Sequence, residues 1–339
     1  MRLSVVIPGY NTRASYWQRC IDSVLKACGD DDEVICVDDG SNVKPQILAD
    51  YAEKDGRIRV LYLEKNVGQS TARNKALEIA RGEWVTFVDS DDRVMPSIYR
   101  TCLGIDQLHL IDIVAFGIRG VFVNDGLVLE GRLSDEYIGC LTPAALKKFV
   151  AARLFDEPVN KIYRKSFLER HQVVFPDNIC PGEDAMFVLS CIMHGARWRT
   201  IPDVGYIYYR MDGTTLSRYF PNYIATLHYW KEKWDEYLFG PGKGYDGWWP
   251  TMDFSEEWVV RCQWNNIWKR GAPYSLYGRW TYLREHPSIG GTFPLWVFVK
   301  KMVFAFLRLH FYFRPIRRWH IKRIRKDAVE MSSFSEDQL

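Results

Sequence analysis

The sequence predicts an α/β fold: a Rossmann-like, mostly parallel sheet with helices on both faces, followed by a helical C-terminal extension rich in aromatic and basic residues. Short apolar runs alternate with segments of helical periodicity over the first hundred residues. Clusters of polar residues directly follow several of these runs. The chain has 339 residues and is 47% hydrophobic, which is enough for a substantial core and for two or three domains.

The alternation predicts seven elements in the first hundred residues. Strands are expected at Leu3–Ile7, Glu33–Val37, Ile58–Leu63 and Trp84–Val88, and helices at Tyr16–Lys26, Pro45–Lys54 and Ser70–Ala80. We expect Pro8 to stop the first strand and Gly82 to close the third helix. A βαβαβαβ order favours a parallel sheet covered on both faces.

The pattern is looser from Pro96 to about Ser217. It predicts a strand at Ile113–Ile118, a hairpin around Asn124–Gly126, and helices near Pro143–Leu154 and Glu183–His194. The region after Tyr219 is rich in Trp and Tyr and is expected to be helical.

Cysteine usage and charge narrow the protein class. None of the eight cysteines forms a CxxC pair, which argues against both a zinc site and a small disulfide scaffold. The net charge of +3 is small. The N-terminal "LSVVIP" has no charged segment before a long apolar core, so we expect no secretory signal and reduced thiols in a cytoplasm.

Three polar clusters are expected to meet at one edge of the sheet. They are "GYN" after the first strand, "DDGS" after the second and "DSDD" after the fourth. The carboxyl ends of parallel strands form the ligand crevice in such sheets. Because like charges need a positive partner, we expect Mn²⁺ or Mg²⁺ at "DSDD", held by one or two carboxylates and by diphosphate oxygens. Solvated loop acids near the start of the next helix are the alternative.

Two common nucleotide-binding classes are disfavoured. The turn after the first strand reads "PGYNT" and not GxGxxG, and no GxxxxGK[ST] motif occurs in the chain. A dinucleotide dehydrogenase and a P-loop NTPase therefore do not fit.

Six motifs, "SVVIPGYN", "VDDGS", "NVGQSTARN", "FVDSDD", "NKIYRKS" and "GEDAMF", together resemble glycosyltransferase family 2 over residues 3–217. This family comprises inverting nucleotide-sugar transferases of GT-A fold. The resemblance implies a nucleotide-sugar-binding half at residues 1–97 and an acceptor and catalytic-base half at residues 98–219. A C-terminal region at 220–339 would follow them.

The resemblance implies a nucleotide site on the first strand ends. Pro8 and Tyr10 would hold the nucleobase, Asp39 would accept from the N3–H of uracil, and Arg73 would reach the base or a phosphate. Asp38 is expected to orient the turn. A packed loop aromatic is the alternative for Tyr10, and an arginine on an exposed helix face is the alternative for Arg73.

The resemblance also implies roles for the acids after the fourth strand. Asp91 would be the direct metal ligand, and Asp89 would contact the ribose or help to hold the metal. Asp92 is expected to cap the following segment. The cation would offset charge repulsion and stabilise the leaving nucleoside diphosphate.

"PGEDAMFVLSCI" supplies the catalytic base. By resemblance Asp184 is the base and Glu183 positions the acceptor, whereas simple stabilisation of a helix N-terminus by acids is the alternative. Two adjacent carboxylates should repel each other and raise one pKa.

By resemblance, the stretches "NKIYRKS" and "YYRMDGTTLSR" supply four further contact residues. Lys161 would touch a phosphate or the acceptor, or would be a solvated lysine. Tyr209, Arg210 and Ser217 are expected to help close over the diphosphate.

The expected activity is transfer of a single sugar, from a donor that we expect to be a UDP-sugar, to a glycan or lipid-linked acceptor in surface polysaccharide biosynthesis. No QxxRW run, typical of processive synthases, occurs in the chain. One alternative is a non-catalytic, membrane-associated nucleotide-binding scaffold. A nucleotidyltransferase is a weaker one, because such enzymes usually carry a basic, glycine-rich loop after the first strand.

The C-terminal segment 293–326 predicts attachment to the cytoplasmic face of a membrane. Lys300, Lys301 and Arg308 share one helical arc of an otherwise apolar helix, and no acid lies between Glu285 and Asp327. Each basic residue near anionic lipid contributes on the order of 1 kcal/mol. Packing of this helix on the catalytic domain is the alternative, and nucleic-acid binding is not expected.

Overall fold

The computed structural model describes residues 2–122, 127–133, 136–142, 145, 149, 154, 157–177, 182–210, 223–239, 263–268, 272–286 and 298–299. The chain divides into two compact units. The first comprises residues 1–214 and 222–255, and the second comprises residues 215–221 and 256–339. The two predicted halves that meet at residue 97 share one continuous sheet within the first unit.

The N-terminal half has the predicted order of elements. Its strands are β1 (Leu3–Gly9), β2 (Glu33–Asp38), β3 (Ile58–Tyr62) and β4 (Trp84–Phe87), and its helices are α1 (Ala14–Ala27), α2 (Gln46–Lys54) and α3 (Gln69–Ile79). The four strands are parallel in the order β3-β2-β1-β4. The predicted parallel sheet is confirmed.

The strand order creates a switch point between β1 and β4. The chain runs outward from β1 to β3 and then returns past β1 to β4. Right-handed crossovers therefore place α1 and α2 on one face of the sheet and α3 on the other. The crevice at the carboxyl ends of β1 and β4 is where ligands bind in such folds. Trp17 of α1 packs tightly against Gly9 at the end of β1: a Cβ added to Gly9 would lie only 2.4 Å from Trp17 Cζ2.

The expectation that Pro8 stops the first strand is wrong, since β1 continues to Gly9. The carbonyl of Val6 faces β4, where it accepts from the Val88 N–H at 2.9 Å, and the carbonyl of Gly9 faces the β2 side, where it accepts from the Asp39 N–H at 2.9 Å. Pro8 therefore faces the β4 side, beyond the last residue of β4. Its missing N–H costs no ladder hydrogen bond.

The rest of the first unit completes a mixed sheet. Its strands are β5 (Arg93–Val94), β6 (Ile113–Phe122), β7 (Leu127–Gly131), β8 (Ile138–Cys140), β9 (Lys161–Arg164) and β10 (Arg197–Arg210), and its helices are α4 (Ile98–Leu103), a 3₁₀ turn (Leu108–Leu110), α5 (Lys165–Arg170), α6 (Glu183–Met193) and α7 (Tyr223–Phe239). The sheet continues from β4 as β9-β6-β10-β5, with β7 on β6 and β8 on β10. β9 is antiparallel to both β4 and β6.

Three predictions for this half are confirmed and one lies outside the described residues. β6 contains the strand predicted at Ile113–Ile118, and α6 matches the helix predicted at Glu183–His194. β6 and β7 pair as the antiparallel strands of the expected hairpin, whose turn at 124–126 lies outside the described residues. Most of the helix predicted near Pro143–Leu154 is outside the described residues. Sequence periodicity missed β10, a 14-residue strand that carries Pro202, Gly205 and two shifts of register.

The second unit has an aromatic core. Trp264, Ile267 and Leu283 are buried together, the last of them on α8 (Leu276–Glu285). Phe298 packs on this core, with its ring centroid 5.3 Å from that of Trp280. Phe298 belongs to the predicted membrane segment 293–326, most of which lies outside the described residues. In the part of the chain that is described, no helix is both long and apolar enough to span a membrane.

A buried carboxyl ties β10 to the loop that follows β4. The Tyr206 hydroxyl donates to Asp92 Oδ2 at 2.8 Å and accepts from the Asp89 N–H at 3.1 Å. The Tyr209 N–H donates to Asp92 Oδ1 at 2.8 Å. Asp92 and Tyr206 are both fully buried, so water does not replace these bonds when they are lost.

Tyr206→Phe is expected to lower the free energy of unfolding by about 1–3 kcal/mol, because it leaves two buried polar groups without a partner. Urea denaturation measures the change. Tyr163→Phe is the matched control, since Tyr163 is equally buried and its hydroxyl donates only to the Pro158 carbonyl, at 3.2 Å. Equal losses for the two variants would contradict the role given to Tyr206.

Candidate active site

The loop after β4 carries three acids with different environments. The Asp92 N–H donates to the Asp89 carbonyl at 3.0 Å, which closes a turn. Burial and the neighbouring charges of Asp89 and Asp91 raise the pKa of Asp92 well above its ordinary value. The expectation that Asp92 caps the next segment is wrong, because both of its oxygens bind β10.

Asp91 suits a cation best among these acids. Burial and the Asp89 charge raise the pKa of the half-buried Asp91 to about 6, and Arg19 offsets this in part. A bound cation would relieve this cost of a desolvated negative charge. No three His, Cys, Asp or Glu side chains converge as a metal site among the described residues. The carboxylates of Asp91 and Asp89 could hold an ion that takes one or two carboxylates and completes its shell with phosphate oxygens and water.

Asp89 is oriented by two donors from α3. Gln69 Nε2 and Arg73 Nη2 both donate to Asp89 Oδ1, at 3.0 and 2.9 Å. Both contacts use the same oxygen, so no described donor holds Oδ2. Gln69 was not predicted as a site residue, although it lies four residues before Arg73 and therefore on the same helix face.

Arg73 joins the acids of β4 and α6. Its Nη1 donates to Asp184 Oδ1 at 2.5 Å, and its guanidinium lies 4.9 Å from the ring centroid of Phe175. Arg73 is completely buried, so the alternative of an exposed helix face is wrong. Burial alone would lower the pKa of Arg73, but the charges of Asp184 and Asp89 outweigh this effect and raise it. Its predicted contact with the nucleotide stays a prediction.

The first turn of α6 holds the two acids of the base motif. Gly182 precedes this turn with φ of 115°, and its N–H donates to Glu183 Oε2 at 2.8 Å. Burial and the Asp184 charge raise the pKa of Glu183. Burial also raises the pKa of Asp184, and the Arg73 charge counteracts it. Asp184 thus has the properties of a tuned base, a desolvated carboxylate beside a fixed cation.

The turn after β1 forms the other wall of the crevice. Tyr10 is 45% exposed, whereas Pro8 is buried in the strand. Asp38 accepts from the Ser41 hydroxyl at 2.5 Å, and that hydroxyl accepts from the Asn11 N–H at 2.8 Å. Asp38 therefore orients the turn, as predicted. The exposure of Tyr10 disfavours a packed loop aromatic and leaves the ring available to a planar ligand.

Asp39 anchors the loop that leads into α3. Its carboxylate accepts from the Val67 and Gly68 N–H groups at 2.8 and 3.0 Å and from Asn66 Nδ2 at 3.0 Å. Burial raises the pKa of Asp39, and the two backbone N–H groups act against the shift. The predicted contact of Asp39 with a nucleobase stays a prediction. The structure adds a second role that the sequence did not show, which is to hold the loop before α3.

Lys161 is buried beneath the site. Its ammonium donates to Asn160 Oδ1 at 2.6 Å and to the Glu157 carbonyl, and it lies close enough to Asp184 to lower the pKa of that acid. The alternative of a solvated lysine is wrong. A phosphate or acceptor contact is untested, as are the roles of the Arg210 side chain and of Ser217, which lie outside the described residues.

Comparison with known proteins identifies the family that the chain resembles. Residues 4–171 match the family described as Glycosyl transferase family 2. The chain is 30% identical to the glycosyltransferase EpsJ of Bacillus subtilis over 243 residues, which are 70% of this chain and 66% of EpsJ. It is 32% identical to the succinoglycan biosynthesis protein ExoO of Rhizobium meliloti over 224 residues, 62% of each chain. These alignments span less than two thirds of either relative.

Solved structures share the fold. A crystal structure of S. aureus TarS 1–349 in complex with UDP-GlcNAc superposes with a TM-score of 0.62 at 20% identity, and the match covers 89% of this chain and 81% of TarS 1–349. The resemblance implied by the six motifs is therefore confirmed, and the chain belongs to glycosyl transferase family 2.

Proposed function

We propose that this chain is an inverting, metal-dependent glycosyltransferase that transfers one sugar from a UDP-sugar to a glycan or lipid-linked acceptor. The observation that carries the proposal is the guanidinium of Arg73, which binds Asp89 at the end of β4 and Asp184 at the start of α6. The acid expected at the donor and the acid expected as base are thereby held on one rigid group. Such an arrangement serves a reaction that needs both at once.

The chemistry follows from the two ends of this network. Asp184 takes the proton of the acceptor hydroxyl while the oxygen attacks the anomeric carbon of the donor. The bond to the nucleoside diphosphate breaks on the opposite face, so the configuration inverts. A divalent ion held by Asp91, with Asp89 as its neighbour, would neutralise the departing diphosphate. Glu183 positions the acceptor beside the base.

Two comparisons support the choice of substrates. The S. aureus TarS structure of the same fold contains UDP-GlcNAc, which favours a uridine nucleotide as donor. The name of the R. meliloti relative ExoO refers to succinoglycan biosynthesis, which favours a polysaccharide pathway here. On the protein, the exposed Tyr10 ring at the mouth of the crevice is suited to stack on a base.

Asp91→Asn and Asp184→Asn are each expected to abolish transfer, for different reasons. Asp91→Asn should remove Mn²⁺-dependent UDP binding, because an amide ligates a divalent ion far more weakly than a carboxylate. Asp184→Asn should keep this binding and lose turnover by about 10²–10⁴-fold, the contribution of a positioned base. Calorimetry with UDP and Mn²⁺ and a transfer assay measure the two effects.

Glu130→Gln controls for the loss of one acid, since Glu130 pairs with Arg119 on the surface, at 2.7 Å. Near-normal turnover of Asp184→Asn would refute the mechanism. The melting temperature of Asp184→Asn checks that the variant folds. Retained UDP binding would show that its loss of turnover comes from the missing base and not from unfolding. A wild-type chain without metal-coupled UDP binding would favour the non-catalytic scaffold.

The pH dependence of transfer should report the carboxyl of Asp184. Burial raises its pKa and the base must be ionised, so kcat/KM should fall as the pH drops through this raised pKa. Arg73→Gln removes a cation that lowers the pKa, so the acidic limb should move to higher pH. Arg73→Lys keeps the charge and should move it less. An acidic limb that is unchanged in Arg73→Gln would contradict the assignment of the base.

We also propose that the segment 293–326 attaches the protein to the cytoplasmic face of a membrane, on the strength of its sequence. Flotation with anionic liposomes should recover the intact chain, and high salt should weaken the binding because basic residues drive it. Truncation after residue 292 is expected to abolish flotation. A truncated protein that floats as well as the intact chain would refute the attachment.

A further inference from the structure

Arg19 of α1 reaches the loop after β4 from the face of the sheet opposite α3. Its guanidinium carbon lies over two aromatic rings, 5.2 Å from the ring centroid of Tyr16 and 4.1 Å from that of Tyr209. Its Nη2 donates to the backbone carbonyl of Asp91. None of the six motifs contains Arg19, and neither the resemblance nor the proposed reaction uses it.

The choice of acceptor atom is informative. Arg19 donates to the backbone carbonyl of Asp91 and not to its carboxylate. The positive charge of Arg19 therefore lies beside the acidic loop, and this hydrogen bond leaves the Asp91 carboxylate to other partners. An arginine paired with the carboxylate itself would compete with a metal ion for the same oxygens. A planar guanidinium can stack on both rings and still donate in its own plane, which a lysine ammonium cannot do.

The residue that carries the second ring, Tyr209, is bonded to the same loop. The Tyr209 N–H donates to Asp92 Oδ1, and Asp92 is buried against Tyr206. Tyr209 therefore contacts Arg19 through its ring and Asp92, the neighbour of Asp91, through its backbone N–H. The backbone of Asp91 is constrained on both sides.

We propose that Arg19 is a positioning residue that fixes Asp91 in the orientation required to bind a divalent cation together with a nucleoside diphosphate. This inference rests on the proposed function, because it assumes that Asp91 is the metal ligand. The physical basis is preorganisation: adjacent carboxylates repel each other, and a loop that is free to move would spread them apart before the ion binds. Groups that orient a metal ligand typically contribute about 10–100-fold to metal affinity.

The test compares the Mn²⁺ affinity of variants in the presence of UDP, measured by electron paramagnetic resonance of free Mn²⁺. Arg19→Gln should weaken Mn²⁺ binding by about 10-fold or more. Arg19→Lys should restore only part of it, and Tyr209→Leu should weaken it because the second ring is lost. Arg13→Gln is the matched control, since Arg13 lies 5.7 Å from the Tyr16 ring centroid and its guanidinium has no described contact with the loop.

The outcomes separate this inference from the proposed function. Normal Mn²⁺ affinity in Arg19→Gln, with metal-coupled UDP binding in the wild type, would overturn the inference and leave the function intact. No metal-coupled binding in the wild type would overturn both. A lower melting temperature of metal-free Arg19→Gln with full Mn²⁺ affinity would assign Arg19 to folding alone and would also overturn the inference.

Discussion

Repulsion among carboxylates at the switch point of the sheet is the constraint on which the site depends. Asp89, Asp91 and Asp92 lie within four consecutive positions, and Asp184 joins them from another element. Burial makes this crowding costlier, because a desolvated charge loses the screening of water. The fold meets the cost with one buried guanidinium, that of Arg73, which balances Asp89 and Asp184. Burial and the charge of Asp89 nevertheless keep the pKa of Asp91 raised, to about 6.

The acidic loop is held from both faces of the sheet. Gln69 and Arg73 reach Asp89 from α3, and Arg19 reaches Asp91 from α1 on the other face. Tyr206 closes the arrangement from β10 beneath. A loop that is already held by three elements loses little further conformational freedom when a ligand binds. More of the interaction energy then appears as affinity. Binding and catalytic sites in general need rigid supporting elements, and the three supports of this loop are helices or strands.

Helix α3 connects the two sides of the crevice. Asp39 receives the two N–H groups that precede α3, which fixes where the helix begins. Asn74 then pairs with the backbone of Phe175 through two hydrogen bonds of 2.8 and 2.9 Å, and so holds the segment that precedes α6. The side of the crevice proposed to bind the nucleotide and the side proposed to carry the base are therefore aligned through α3. A change in its position would move both at once.

The sequence by itself determined the parallel half of the sheet and the acids of the crevice. Alternation of apolar runs with helical periodicity is a local property, and Asp91 and Asp184 belong to contiguous motifs. Only the tertiary structure decided that Arg73 is buried between two acids, that Asp92 binds Tyr206, and that Arg19 contacts the loop from α1. These pairs are separated by 16 to 114 positions along the chain, and local patterns carry no information about which distant residues meet. Strands β9 and β10 were missed for the same reason, because their partners in the sheet, and not their own periodicity, make them strands.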